Sequence, residues 1–352
     1  MPTFKPTYNI FINGVSKNTL ENLPIDEIRI IRSLETIEDY AMIRFSGQDD
    51  SQGREIEEEV RRGKYVEISV GWNADNVTEF KGYIQNVTTG DGLYINLMDF
   101  SFLFRTTLIE EKSFSATATA QEVLQYLADQ VNDKKKSKLP ADVQIEVAVD
   151  RALLGRVMPN FKIPPVHGLE ALRMVARQLP YNIFFRDNVI CLWRRFVQDS
   201  AVRGIRKSLQ VDKNVKDFSL EYMHAEDREY VCQAIGIRPD GSVITGEAST
   251  NDLGEGEIIR QHFAISPEAP PEAVKQSLDR DAQEMLKVWS YDGFKGTITS
   301  WIVPYIDRGH IVALQDDKYA QREGLYFVIS YQLVWKTNQG TFRILNVGQT
   351  PS

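Results

Sequence analysis

Two pairs of carboxylates have the spacing that metal-assisted or glycoside hydrolysis would use: Asp316 with Asp317, and Asp279 with Asp281. The first pair follows a strand-like run into a loop, and the second falls on the polar face of a helix-like segment, so neither is expected to act catalytically. The histidines are His167, His224, His262 and His310, and the cysteines are Cys191 and Cys232. None of the histidines stands at ligand spacing from another or from a cysteine, so no zinc site is expected. His224, within EYMHAED, has carboxylates beside it, but acid–base work also requires a nucleophile and a cleft. His167 reads as a helix N-cap and His310 as a solvent-facing strand start. The sequence holds no Walker loop, dinucleotide fingerprint or G-x-S-x-G, and Gly90-Asp91-Gly92 reads as a hairpin tip. The expectation is a non-enzyme: no catalytic, cofactor-binding or metal-ligating residues, and no cofactor.

Composition narrows the classes further. A net charge of −8 argues against a sequence-specific or general nucleic-acid binder, which would present a basic surface. No apolar run approaches the ~20 residues that span a bilayer, so no membrane insertion is expected. MPTFKPTYNIFING has no basic stretch leading into an apolar one, and the chain reads as made in a cytoplasm. In that compartment Cys191 and Cys232 are favoured as buried thiols over a disulfide. Lys134, Lys135, Lys136 and Lys138 read as a solvated loop.

The elements around these residues are mostly strands. YNIFING, IDEIRIIRS and YAMIRFSGQ alternate apolar and polar positions and break at turn residues. EIEEEVRRGK reads as a short helix or turn. In KYVEISVGW, Val66, Ile68, Val70 and Trp72 share one face, as in a half-buried antiparallel strand. Residues 62–97 begin RGKYVEISVGW and end TTGDGLYINL, and residues 308–345 begin RGHIVALQDD and end TNQGTFRIL. Each runs from Arg-Gly through a strand, a polar loop, a second strand and a Gly turn into a third strand. The two are expected to form superposable β-units, with Gly63 and Gly309 in equivalent turns.

Between them the period changes. TATAQEVLQYLADQV opens on a capping box, Thr119 with Glu122, and stripes Val123, Leu124, Leu127, Ala128 and Val131 on one helical face. The register returns in VHGLEALRMVARQLP, where Glu170 matches Glu122 and Gln178 matches Gln130. Strand-like sequence follows each helix. Two related helix–strand units and two ordinary amphipathic helices both fit this pattern. Further on, ISPEAPPEAVKQSLDRDAQEMLKVWS reads as a proline-initiated helix with Ala273, Val274, Leu278, Ala282, Met285, Leu286 and Trp289 on its apolar face.

The layout, with FKGYIQNVTTGDGLYINLMDFSFLF leading directly into that first helix, the SPEAPPEAV helix and the closing RGHIV…GLYFVISYQL…GTFRIL, resembles a known family. It is similar to the baseplate hubs of contractile phage tails, the late-control-D-like proteins of Mu-like and T-even phages, and to the N-terminal hub region of VgrG. The resemblance implies an α+β, mainly β fold: two tube-like antiparallel β-barrel domains with α+β domains between and inserted. On this sequence the first barrel would occupy 1–108 and an α+β domain 109–205. The second barrel would occupy 206–240 and 291–352, around an inserted α+β segment at 241–290. It also implies a homotrimer whose six barrels form a pseudo-six-fold ring, joining the hexameric tail tube protein to a trimeric central spike. The chain stops after the second barrel, so the spike is expected to be encoded separately. Other baseplate proteins would be its further partners, and its location would be the tail baseplate of a virion or a phage-like injection particle. Two other readings stand beside this one: a β-rich receptor- or carbohydrate-binding tail module, and a hydrolase with an unrecognised carboxylate pair.

Overall fold

The computed structural model describes residues 6–13, 15, 25–46, 60–73, 75–90, 92–158, 160–179, 181–193, 206–224, 229–238, 241–250, 256–265, 270–290, 293–337 and 339–349. Of the short helix or turn read over 55–64, residues 55–59 lie outside them, and the described part, 60–64, is a bend and turn.

Six strands come first: β1 (Pro6–Ile12), β2 (Ile25–Ser33), β3 (Tyr40–Phe45), β4 (Tyr65–Trp72), β5 (Asp75–Thr89) and β6 (Leu93–Met98). They pair in the order β1-β4-β5-β6-β3-β2, all antiparallel. The alternation read in β4 holds: Val66, Ile68 and Val70 are buried in the main core while Glu67 and Ser69 lie at intermediate exposure. Each such Ile or Val, taken fully out of water, contributes about 1.5–3 kcal/mol before entropy is counted.

An α+β segment follows, with α1 (Ser101–Arg105), β7 (Lys112–Ser113), α2 (Ala120–Lys134), β8 (Glu146–Val149), β9 (Lys162–Ile163), α3 (Gly168–Gln178), β10 (Asn182–Arg186) and β11 (Val189–Trp193). The capping box is present: the Thr119 hydroxyl accepts from the Glu122 N–H at 3.3 Å, and the Thr119 N–H donates to Glu122 Oε2 at 2.7 Å. The predicted stripe, Val123, Leu124, Leu127, Ala128 and Val131, is buried. His167 caps α3 by position, but its ring makes no capping hydrogen bond. The strands after the two helices meet in one sheet, β10-β11-β8, where β8 runs parallel to β11.

The chain then returns to β strands: β12 (Arg206–Gln210), β13 (Val215–Met223), β14 (Tyr230–Ile237), β15 (Val243–Ser249), β16 (Glu257–Ala264), helix α4 (Pro271–Trp289), β17 (Gly293–Trp301), β18 (Ile311–Gln315), β19 (Gly324–Lys336) and β20 (Gly340–Gln349). Tyr230–Ile237, read in sequence as part of the second barrel, instead pairs with β15 and β16. The reason is packing: Ala234 shares a small core with Phe263, Ile265, Val274, Leu278 and Ala282, so β14 closes its apolar face against α4. On that helix Val274, Leu278, Ala282 and Met285 are buried as expected, whereas Ala273 and Trp289 face out.

The remaining six strands pair as β12-β18-β19-β20-β17-β13. β2 then pairs with β19, antiparallel, from Ser33↔Ser330 to Glu27↔Lys336, so both six-strand modules belong to one twelve-stranded sheet. A single apolar cluster runs through both, from Ile12 and Ile28 to Leu333 and Val347. The fold is mostly β, as expected. Not every pair is antiparallel, however: β12 with β18, β8 with β11 and β14 with β16 are parallel.

Candidate functional site

The functional geometry starts from the duplication. Read across the sheet, Ile28, Ile43, Ile95 and Val87 form one rung of the first module. Phe218, Ile298, Leu345 and Tyr331 form the matching rung of the second. The next rung repeats the match, Ile30–Ala41–Leu97–Ile84 against Leu220–Gly296–Val347–Val328. Even the irregularity is copied, because the β5–β6 register shifts between Ile84 and Asn86 and the β19–β20 register between Val328 and Ser330.

The Arg-Gly pairs are the turns that enter β4 and β18. Gly63 has φ +84° and Gly309 φ +80°, a region in which L side chains are strained. Gly63 N–H donates to the Ile84 carbonyl at 2.8 Å and Ile84 N–H to Lys64 at 2.9 Å; Gly309 N–H donates to Val328 at 2.7 Å and Val328 N–H to His310 at 3.0 Å. Only the arginines differ in role. Arg62 is exposed, with its guanidinium 5.8 Å from the Phe102 ring centroid.

Arg308 is buried and binds three parts of the chain together. Its Nη1 donates to the Ser33 carbonyl at 2.6 Å and to Asp39, its Nη2 donates to the Phe185 carbonyl of β10, and it lies 4.9 Å from the Phe184 ring centroid. Asp39 also accepts from Arg32 Nε at 3.1 Å and from the Ser33 N–H at 3.3 Å. Its own N–H donates to Asp99 Oδ2 at 3.1 Å, while Asp99 Oδ1 accepts from the Ser101 N–H at 3.0 Å and from the Ser101 hydroxyl. Burial, and then the charge of Asp39, push the Asp99 carboxyl up to about 8. Arg32 Nη1 lies 3.6 Å from Asp307 Oδ2. Burial alone would raise Asp307, but Arg32 and Arg308 overcome it and hold the carboxyl below its ordinary value.

A second buried pair crosses the modules. Arg343 of β20 binds Glu79, the bulged residue of β5, with both side chains fully enclosed. Arg343 Nη1 also donates to the Ile306 carbonyl at 2.6 Å, and Tyr331 donates to Glu79 Oε2 at 3.4 Å. Burial raises the Glu79 carboxyl against the pull of Arg343. Bonded to one another and to backbone, with Arg343 Nε alone left without a hydrogen-bond partner among them, these groups form a clamp that fixes one module, the other and the α+β segment in a single arrangement.

The residues singled out from sequence are scattered around this clamp. His310 is buried, contrary to the solvent position expected of it; its Nδ1 accepts from the Asp307 N–H at 3.2 Å, and burial holds its pKa below the usual histidine value. His224 and His262 are exposed. Asp316 is buried and caps its own loop by accepting from the N–H groups of Lys318 and Tyr319, while Asp317 faces out. Asp281 is also buried, not on a polar face: it pairs with Arg156 at 3.1 Å and accepts from Tyr181 at 3.3 Å, joining α4 to the α+β segment. Asp279 instead takes the Glu247 N–H at 3.2 Å and Lys275. Cys191 and Cys232 are buried free thiols. Among the described residues, no cluster of three or more His, Cys, Asp or Glu could hold a metal ion. Sequence reasoning missed Arg32 and Arg343, although strand parity marks both. Each is a charge at an inward position, Arg32 in line with Ile28 and Ile30, Arg343 with Leu345 and Val347.

Neither a protein-family model nor a curated protein matches the sequence. Solved structures do. The chain aligns with a tail protein from Neisseria meningitidis MC58 at a TM-score of 0.65 and 12% identity, covering 97% of this chain and 96% of the other. The 43 kDa tail protein of prophage MuSo2 from Shewanella oneidensis aligns at 0.57 and 16% identity, covering 97% and 98%. The c3393 protein of E. coli, a component of the type VI secretion system, aligns at 0.54 and 10% identity, covering 97% and 76%.

Proposed function

We propose that this chain, which has the fold of phage tail and type VI secretion proteins, is a structural baseplate hub of a contractile tail or a phage-like injection particle. The observation that carries the reading is the duplication, two six-strand modules with the same pairing order and matching rungs in one polypeptide. Three such chains supply six quasi-equivalent modules, which suit the six-fold face of a tail tube, while the true three-fold axis suits a trimeric central spike. The protein then works by matching symmetries. That task requires rigid, repeated surfaces and no catalytic group, and the buried clamp between the modules supplies the rigidity.

Light scattering across a gel-filtration peak tests the reading. The expected mass is three times the 40.2 kDa of one chain, with six-lobed rings in electron micrographs. A monomer at every concentration, both alone and with tube and spike proteins added, overturns it.

A further inference from the structure

β14, β15, β16 and α4 form a unit inserted between β13 and β17. Both of its covalent connections leave the main sheet at one place, because Met223 at the end of β13 and Gly293 at the start of β17 are register partners. The next pair, Tyr222 with Phe294, meets edge to face at 4.9 Å between ring centroids and stiffens this two-strand stalk. Beyond the stalk the unit is a body of its own. Its core, Ala234, Phe263, Ile265, Val274, Leu278 and Ala282, shares no residue with the cluster that fills the α+β segment. Gly246 lets β15 approach the Leu278 backbone of α4 so closely that a side chain there would have no room, which fixes the helix to its sheet.

At the boundary with the α+β segment, one side chain gathers contacts from both sides. Arg156 Nη2 lies 3.1 Å from Asp281 Oδ2, and Arg156 Nη1 donates to the Ser277 hydroxyl at 3.4 Å. Ser277 and Asp281 stand four residues apart on α4 and so share one face. The Tyr181 hydroxyl donates to Asp281 Oδ1 at 3.3 Å. The Arg156 guanidinium is 5.2 Å from the ring centroid of Phe263, in the inserted unit's core, and 6.0 Å from that of Tyr181, which packs on the core of the α+β segment. Arg156 is itself rooted at the start of α2, where its carbonyl accepts the Ala120 N–H at 2.8 Å. Beside it α3 and β16 approach each other. The two modules of the main sheet are held differently, by a strand ladder, a continuous apolar cluster and a fully enclosed ion pair. Here the paired side chains keep 19% and 10% of their exposure, and no strand pairing or apolar cluster of the described residues crosses the boundary.

We infer that this unit moves as one body about the Met223–Gly293 end of its stalk, and that Arg156 is the latch that holds it against the α+β segment. Undocking breaks no strand pairing among the described residues, so it opens at lower cost than either body unfolds. The inference stands apart from the hub reading: it gives an otherwise clamped molecule one moving part.

Distances between spin labels, measured by electron–electron resonance, test it. Cys191 and Cys232 are buried, so the labels go to introduced cysteines. Gln121→Cys with Val243→Cys spans the boundary, Val243→Cys with Glu257→Cys lies within the unit, and all three positions are exposed. Diluting labelled chain into an excess of unlabelled chain confines each distance to one copy. Arg156→Met is expected to raise the undocked-to-docked ratio read from the spanning pair by about tenfold or more, as a charge-assisted contact is lost, with the internal pair unchanged. Asp281→Asn should shift the spanning pair in the same direction, and the double variant should open no further than R156M, since both act on one contact. Arg156→Lys, which keeps the charge without the planar fork, should fall between R156M and the wild type. A spanning distance that R156M and D281N leave as in the wild type overturns the latch. An internal distance that broadens together with the spanning one overturns movement as a body.

Discussion

Arg343→Met removes one side of an enclosed ion pair and leaves the other in place. Glu79 would keep a Tyr331 hydrogen bond at 3.4 Å but lose the one cation that, among the described residues, lies within salt-bridge distance. Breaking such a pair costs about 3–5 kcal/mol, most of it the penalty of an uncompensated buried charge. The Ile306 carbonyl loses its 2.6 Å donor as well, which adds about 1 kcal/mol or more. Replacing both partners, Glu79→Leu with Arg343→Met, removes the charge penalty and should recover much of the loss, leaving mainly the orphaned Ile306 carbonyl and the Tyr331 hydroxyl that gave its hydrogen bond to Glu79. The sign of the pH dependence follows. Burial already raises the Glu79 carboxyl, and without Arg343 it rises further, so the folded variant holds a proton that the unfolded chain has released. The deficit of the single variant should therefore grow as pH rises past the raised Glu79 value of the folded wild type and shrink toward acid. Equilibrium urea unfolding of the wild type, both singles and the double, run as a cycle at two pH values, measures this. A single-variant loss below about 1 kcal/mol, or one that does not change with pH, refutes the clamp argument.

Three further outcomes are expected. Asp99, pushed up to about 8 by burial and by Asp39, retains its proton when folded while the unfolded chain loses it near 4, so stability should fall from pH 4 to 8 with a slope of up to about 1.4 kcal/mol per unit; D99N should flatten that slope in a urea series across pH. Thr119→Ala, which deletes the capping box of α2, should lower the unfolding free energy by about 1 kcal/mol in the same assay. Gly309→Ala places a side chain at φ +80° where no neighbouring atom is within 4 Å, so its cost of about 1 kcal/mol should come from backbone strain alone, and G63A should cost about the same because the turns match.

Much of this architecture is legible because strand parity and turn chemistry are local. The Arg-Gly turns need a positive φ that glycine supplies, so their equivalence can be read from two short stretches. The α2 cap and stripe are equally local. What sequence does not reveal depends on partners far along the chain. Tyr230–Ile237 has the alternation of a main-sheet strand and is taken away from that sheet by α4, whose contacts lie some forty residues further on. His310 sits where its counterpart Lys64 is half-exposed, and Asp307 and Tyr305 pack against its ring. Of the clamp residues, Arg32 and Arg343 are legible as charges at inward strand positions, but Arg308 finds Asp39 and the Phe185 carbonyl across separations that no periodicity encodes.

One difference between the modules shows what the duplicated unit leaves unspecified. β1 runs antiparallel to β4, yet β12, at the same place beside β18, runs parallel. Their rims accept a strand laid down in either direction, so its polarity is not set by the five strands it joins. Such a strand is the replaceable stave of the module. A cut just before β12, or a donor peptide supplied in its place, should leave the remaining five strands able to complete themselves. The same indifference would let upstream segments be exchanged between relatives without redesigning the wall they border.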